Sequence, residues 1–188
     1  MKNFRLVYFF IFLSLSFLLI EQIAFSQNQS STSQPFDIEV VEVPEVLVFS
    51  VKKEIQDFSQ ELPQLIHNSV VELTKMGGKP AGPLIVLYYL ENVDFNQTLG
   101  KILTEVAWPV DNAQYSNNQL PKIKAARIMF KGPYQGMNAV YQSVHSWLAQ
   151  KHYKIVYPTR EIYHNDPATT PAEELLTEIL IPVEELKE

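Results

Sequence analysis

Two eight-residue stretches of the chain nearly duplicate each other. Leu103-Thr104-Glu105-Val106-Ala107-Trp108-Pro109-Val110 and Leu176-Thr177-Glu178-Ile179-Leu180-Ile181-Pro182-Val183 share Leu, Thr, Glu, Pro and Val in place, at an offset of 176 − 103 = 73 residues. A single pair at so long an offset does not suggest a solenoid, which stacks many short repeats. It predicts one small unit used twice, with a seam between the copies, and ligands often settle at such seams.

The order of elements follows from periodicity. Phe36–Val43 alternates apolar and acidic residues and predicts a strand with one buried face. Pro44-Glu45 turns the chain into a more apolar strand over Val46–Val51, and the two are expected to pair as a hairpin. Ser59–Met76 is expected to be helical, with Leu62, Leu65, Ile66, Val70 and Leu73 on one stripe, Pro63 in the first turn and Gly77-Gly78 as the stop. Pro83–Leu90 and, after an Asn-rich connection, Ile102–Val110 complete a first β-β-α-β-β unit over about residues 36–110. Asp111–Leu120 is a polar linker. The second unit, about 121–184, has a strand over Lys122–Lys131, a helix from Gly132-Pro133-Tyr134 to about His152, and a strand over Thr159–His164. Thr170-Pro171-Ala172-Glu173 has the form of a capping box opening one helical turn, and Leu176–Val183 is the last strand. No second-unit partner for Phe36–Val43 is evident: Asp111–Leu120 has lost it, or the first unit's long fourth strand serves both halves. The offset of 73 carries Pro83–Leu90 onto Val156–Tyr163 and places Tyr88 opposite Glu161 (161 − 73 = 88).

The fold class is therefore α+β, with the folded part at 36–188. Ahead of it, Lys2 and Arg5 precede an apolar run over Leu6–Leu19 and then Ala24-Phe25-Ser26, the layout of a secretory signal peptide over 1–26 cleaved after Ser26. The apolar run is short against the roughly 20 residues a spanning helix needs, so no stable membrane span is expected after cleavage; an uncleaved anchor is the alternative. Residues 27–35 form a polar, low-complexity spacer. The expected location is periplasmic or secreted. The chain has no Cys, which removes thiol nucleophiles, thiolate metal sites and lipid attachment after the apolar run. The net charge of −6 becomes −7 once Lys2, Arg5 and Glu21 are removed, and no basic cluster offsets it, so nucleic acid is not an expected partner. The four His residues lack metal-ligand spacing, and neither a phosphate loop nor a nucleophile elbow is present; no metal and no cofactor are expected. Asn28-Gln29-Ser30 and Asn96-Gln97-Thr98 match the glycosylation sequon.

Arg160-Glu161-Ile162-Tyr163-His164-Asn165-Asp166-Pro167, the run from Thr170 to Ile179, and Ile181-Pro182-Val183, together with Phe130-Lys131-Gly132-Pro133-Tyr134 entering a Tyr- and Trp-bearing helix, resemble the DNA-gyrase-inhibitor-like (GyrI-like) effector-binding domain over about Phe36–Glu184. Similar domains stand behind the DNA-binding modules of AraC- and MerR-type regulators. The resemblance implies a pseudo-two-fold domain of antiparallel sheets with helices outside and a cleft along the seam. Family members bind hydrophobic, often cationic, small molecules there, with a carboxylate facing aromatic rings. Glu161 matches that carboxylate. In place of a helix-turn-helix the sequence carries the signal segment, so direct control of transcription is not expected.

Alternation puts Glu161 and Tyr163 on one strand face and Ile162 on the other. A carboxylate among rings has its pKa raised by desolvation and can serve as an acid/base or as a counter-ion; otherwise it is a solvated glutamate paired with a nearby cation. Tyr88 is the candidate for the opposite wall, Trp108 for stacking on a flat or cationic ligand, and Tyr134 for the cleft edge. Tyr141 and Trp147 read as core. The first functional expectation is an exported protein that binds a small lipophilic or cationic ligand through Glu161, Tyr163, Tyr88, Trp108 and Tyr134. The alternative is a hydrolase of reactive small molecules with Glu161 as general base assisted by Tyr163. Haem binding, as in related two-unit domains, and a protein-interaction role with a packed seam are the weaker options.

Overall fold

The structure, a computed structural model, describes residues 36–90 and 100–186. The expected signal peptide, the spacer, both sequons and most of the Asn-rich connection lie outside the described residues. Among the described residues there are nine strands and two helices: β1 (Glu39–Val43), β2 (Val46–Ile55), α1 (Phe58–Lys75), β3 (Leu84–Tyr89), β4 (Ile102–Pro109), β5 (Asn118–Leu120), β6 (Ile123–Lys131), α2 (Met137–Gln150), β7 (Tyr153–Ile155), β8 (Thr159–Tyr163) and β9 (Leu176–Glu185). Eight strands run antiparallel in the order β1-β6-β9-β8-β3-β4-β2-β5, and β7 pairs with β9. The architecture is the expected α+β duplication, but the two halves form one continuous curled sheet that meets at the β3–β8 ladder.

The ladder registers show how the halves correspond. Val43 pairs with Ile123 and Val46 with Leu120. An offset of 77 exchanges these two pairs (43 + 77 = 120; 123 − 77 = 46), and it also carries Pro44 to Pro121. Asn118–Leu120 is thus the missing counterpart of β1. Each short edge strand pairs with the other unit, which corrects the expected β1–β2 hairpin. A two-residue hairpin prefers turns with positive φ at a central residue, whereas Pro44 fixes φ near −65° and has no N–H. The chain instead passes from one half of the sheet to the other at Pro44-Glu45, and again at Pro121-Lys122.

The offset shrinks along the chain. Ile85 pairs with Ala107 in β3–β4, and Arg160 with Leu180 in β8–β9. With the last strands related by 180 − 107 = 73, the third strands are related by 160 − 85 = 75. The counterpart of Tyr88 is therefore Tyr163, not Glu161. Glu161 corresponds to Val86, the residue it pairs with across the seam, so it sits on the pseudo-two-fold axis. A single offset of 73 fails because the connections between matching elements differ in length.

Both helices cover the same sheet face. Paired residues across a ladder share a face, and the face that carries Val86, Tyr88 and Val106 packs on Leu62 and Leu65 of α1. The same face continues through Ile128, Ile179 and Ile181, which pack on Met137, Val140, Tyr141 and Val144 of α2. The Asp57 side chain accepts from the Ser59 N–H at 3.0 Å to start α1. Pro63 falls beyond the first turn of that helix, at a position where its missing N–H removes a helical bond. Gly77, at φ 85°, ends α1, and the Gly78 N–H returns to the Leu73 carbonyl at 3.0 Å. The expected capping box at Thr170–Glu173 is absent: the turn Ala172–Glu174 is a 3-10 turn with no side-chain cap.

The opposite sheet face holds a second buried carboxylate. Glu105 accepts from the Tyr89 hydroxyl at 2.6 Å and from the Asn118 side-chain amide at 2.8 Å, with Lys52 Nζ at 3.3 Å. Burial opposes its ionisation, but hydrogen bonds from Ser50, Tyr89 and Asn118 and the Lys52 charge hold it below the usual carboxylate range. Asn118 thereby ties the exchanged strand β5 to β4.

Candidate functional site

The seam strands place one acid among four tyrosines. Glu161 points to the helix face and is fully buried. Its Oε1 accepts from the Tyr141 hydroxyl at 2.5 Å. Its Oε2 accepts from Tyr163 at 2.5 Å and from Tyr88 at 3.1 Å. Tyr88 and Tyr163 are the pseudo-symmetric pair flanking the axis, and Tyr141 reaches in from α2. Tyr134, in the 3-10 turn before α2, packs edge-on against Tyr163 with centroids 5.6 Å apart.

Burial pushes the Glu161 carboxyl above its ordinary value, and the three hydroxyls only partly offset that. Burial, and then the neighbouring Glu161 charge, push Tyr88, Tyr141, Tyr163 and Tyr134 upward, so all four hydroxyls are donors at neutral pH. The group is a satisfied acceptor site rather than a proton-releasing one.

Next to this cluster lies a cavity of about 430 Å³, within the range of small-molecule sites. Leu62, Pro63, Ile66, His67 and Val70 of α1 form one wall. Gly82, Pro83, Leu84 and Trp108 form the floor, and Tyr134, Tyr163 and His164–Pro167 close the far side. The Trp108 indole N–H donates to Ser69 Oγ at 2.9 Å, which fixes the ring while leaving it in the cavity wall. Of the residues singled out from the sequence, Trp108, Tyr134 and Tyr163 line the cavity. Glu161 and Tyr88 lie beneath it, and Tyr163 spans the two by lining the cavity and donating to Glu161. Tyr141 read as core from its helix stripe, yet it holds one of the two Glu161 oxygens. The available signal was its hydroxyl: a buried tyrosine on a sheet-facing stripe needs a partner. The cavity contribution of α1 was not legible, because its lining residues belong to an ordinary apolar stripe.

Among the described residues no group of His, Asp or Glu is placed to hold a metal ion, and no helix is long and apolar enough to cross a membrane. The model of the GyrI-like small molecule binding domain matches residues 36–184. The chain belongs to the GyrI-like family. Its domain is thus a small-molecule-binding domain. Comparison with curated protein sequences finds no match. Among solved structures, this GyrI-like chain is similar to the EcmrR C-terminal domain, with a TM-score of 0.65 at 20% identity over 80% of this chain and 99% of that one. It is also similar to EcmrR in an EcmrR–DNA complex, at 23% identity and a TM-score of 0.69, covering 81% of this chain and 59% of EcmrR. A third similar structure is SAV2435 bound to tetraphenylphosphonium, at 18% identity and a TM-score of 0.54 over 79% of this chain and 94% of that one. At these identities the likeness concerns the fold.

Proposed function

We propose that this protein is exported and binds a lipophilic cation in the cavity between α1 and the loop after β8. The observation that carries the reading is an apolar cavity whose aromatic wall backs onto a buried carboxylate. Trp108, Tyr134 and Tyr163 line the cavity with aromatic rings, the side chains that attract a cation. Glu161 adds negative potential from beneath through the Tyr163 hydroxyl, in a setting where low dielectric strengthens it. The binding of tetraphenylphosphonium by a protein of the same fold supports the choice of cation. Binding is favoured over hydrolysis because both Glu161 oxygens are engaged by tyrosine hydroxyls and the carboxyl has no exposed surface.

The test is thermal unfolding of the purified protein with increasing tetraphenylphosphonium. Binding to the folded state alone stabilises by about 2.7 kcal/mol at a hundredfold excess over Kd. A saturable rise in Tm, weakened in Glu161→Gln, is the expected result. No rise with tetraphenylphosphonium or with neutral aromatics would overturn it. Export is tested separately, by the N-terminal mass of protein recovered from the culture or periplasm: a chain beginning at Gln27 supports cleavage, and an intact residue 1 refutes it.

A further inference from the structure

We infer that Asp166 is a specificity residue of this cavity, selecting cations that carry N–H donors over quaternary ones. The inference rests on the small-molecule reading of the cavity and adds the chemistry of the ligand's polar end.

The cavity is amphipathic. Its polar side chains come from His67 of α1 and from the consecutive His164, Asn165 and Asp166 after β8, and the remainder is largely apolar and aromatic. Among the described residues lining it there is no Lys or Arg. Asp166 is the only carboxylate among those lining residues, since Glu161 lies beneath the wall. Asp166 is an exposed residue held in place at both ends: its side-chain Oδ1 accepts from the Ala168 N–H at 2.8 Å, and its backbone carbonyl accepts from the Thr169 and Thr170 N–H groups at 3.1 and 2.9 Å. Among the described residues neither a hydrogen bond nor an ion pair engages Oδ2. Asp166 lines the same cavity as Trp108, Tyr134 and Tyr163, so a carboxylate with an open oxygen stands in the same lining as the aromatic rings.

The two carboxylates therefore divide the work. Glu161 has its oxygens occupied and acts on a ligand through its potential alone, which treats a quaternary and a protonated centre alike. Asp166 can accept a charge-assisted hydrogen bond, and such a bond requires an N–H on the ligand. The ligand class is a protonated aryl-alkyl amine, with its rings against Trp108 and Tyr163 and its ammonium at Asp166.

Calorimetric titration of the purified protein and of Asp166→Asn tests this with three probes: 3,3-diphenylpropylamine, the neutral 3,3-diphenylpropanol, and tetraphenylphosphonium. The wild type should bind the amine more tightly than the alcohol. Asp166→Asn should weaken the amine about tenfold, which is the loss of one good charge-assisted bond, and tetraphenylphosphonium by no more than about threefold, the loss of a partly screened charge. An amine affinity unchanged in Asp166→Asn, or equal losses for amine and tetraphenylphosphonium, would overturn the inference while leaving the cavity as a binding site. No binding of any probe by the wild type would instead overturn the cavity reading itself.

Discussion

Tyr141→Phe should be more destabilising than Tyr88→Phe, although both remove one hydroxyl from the same carboxylate. Each variant keeps its ring, so packing is preserved and the hydroxyl is isolated. Tyr141 is the donor on Glu161 Oε1 at 2.5 Å, and among the described residues that oxygen has no second partner. Tyr88 donates to Oε2 at 3.1 Å, where Tyr163 remains at 2.5 Å. Leaving one buried carboxylate oxygen with no partner costs more than removing the longer of two donors to the other oxygen, about 1.5–3 kcal/mol against about 0.5–1.5 kcal/mol. Tyr141→Phe should therefore cost about 1.5–3 kcal/mol, and Tyr88→Phe about 0.5–1.5 kcal/mol. For a chain of this size that is a drop of about 3–12 °C in Tm for the first, at roughly 2–4 °C per kcal/mol. The gap between the variants should also be wider at a pH above the raised Glu161 value than at one below it, because the lost donor matters most to the ionised carboxylate. Differential scanning calorimetry at both pH values, with urea unfolding to supply free energies, is the assay. A Tyr88→Phe cost equal to or above that of Tyr141→Phe, or a gap that narrows with pH, would refute the assigned hydrogen-bond geometry.

Two further outcomes follow from the buried acids. Glu161 has a folded pKa raised by burial, so its proton is held more tightly in the folded state; its contribution is fully present below the unfolded carboxylate value of about 4.3 and is lost as pH rises through the raised folded value. Glu161→Gln should flatten that decline in a series of urea midpoints, and an unchanged pH slope would count against a buried, titrating Glu161. Glu105 has the opposite sign: its folded pKa is lowered, so its stabilisation is present above the unfolded value and fades as pH falls through the folded one. Asn118→Ala removes the 2.8 Å donor to Glu105 and should cost about 1–3 kcal/mol, with faster amide exchange at Gln119 and Leu120. Unaltered exchange there would show that Asn118 does not secure the exchanged strand.

Much of the architecture could be read from residues. The Leu-Thr-Glu endings gave the duplication because β4 and β9 lie in equivalent places, each bonded on both sides within its own half. The helices followed from apolar stripes and from the Gly77-Gly78 stop. The strand exchange could not be read, because pairing partners are a long-range property and β5 is only three residues long. The echo of Pro44 in Pro121 marks it once the registers are known. At the site, alternation in β8 put Glu161 and Tyr163 on the correct face. The offset of 73 then misassigned the counterpart of Tyr88, since loop lengths are not constrained to repeat. The contributions of Tyr141 and of α1 depend on how helices lie across a sheet, which local periodicity does not encode.

Binding of a lipophilic cation at the Trp108 wall is tested most directly by one fluorescence titration. The chain has two tryptophans, and Trp147 stacks on Tyr153 with centroids 6.2 Å apart, away from the cavity-lining residues. Trp147→Phe leaves Trp108 as the reporter. Addition of tetraphenylphosphonium should then change its emission saturably, with a midpoint that matches the Kd from calorimetry. Calorimetric binding that leaves the Trp108 emission untouched would place the ligand elsewhere and contradict the cavity as the site.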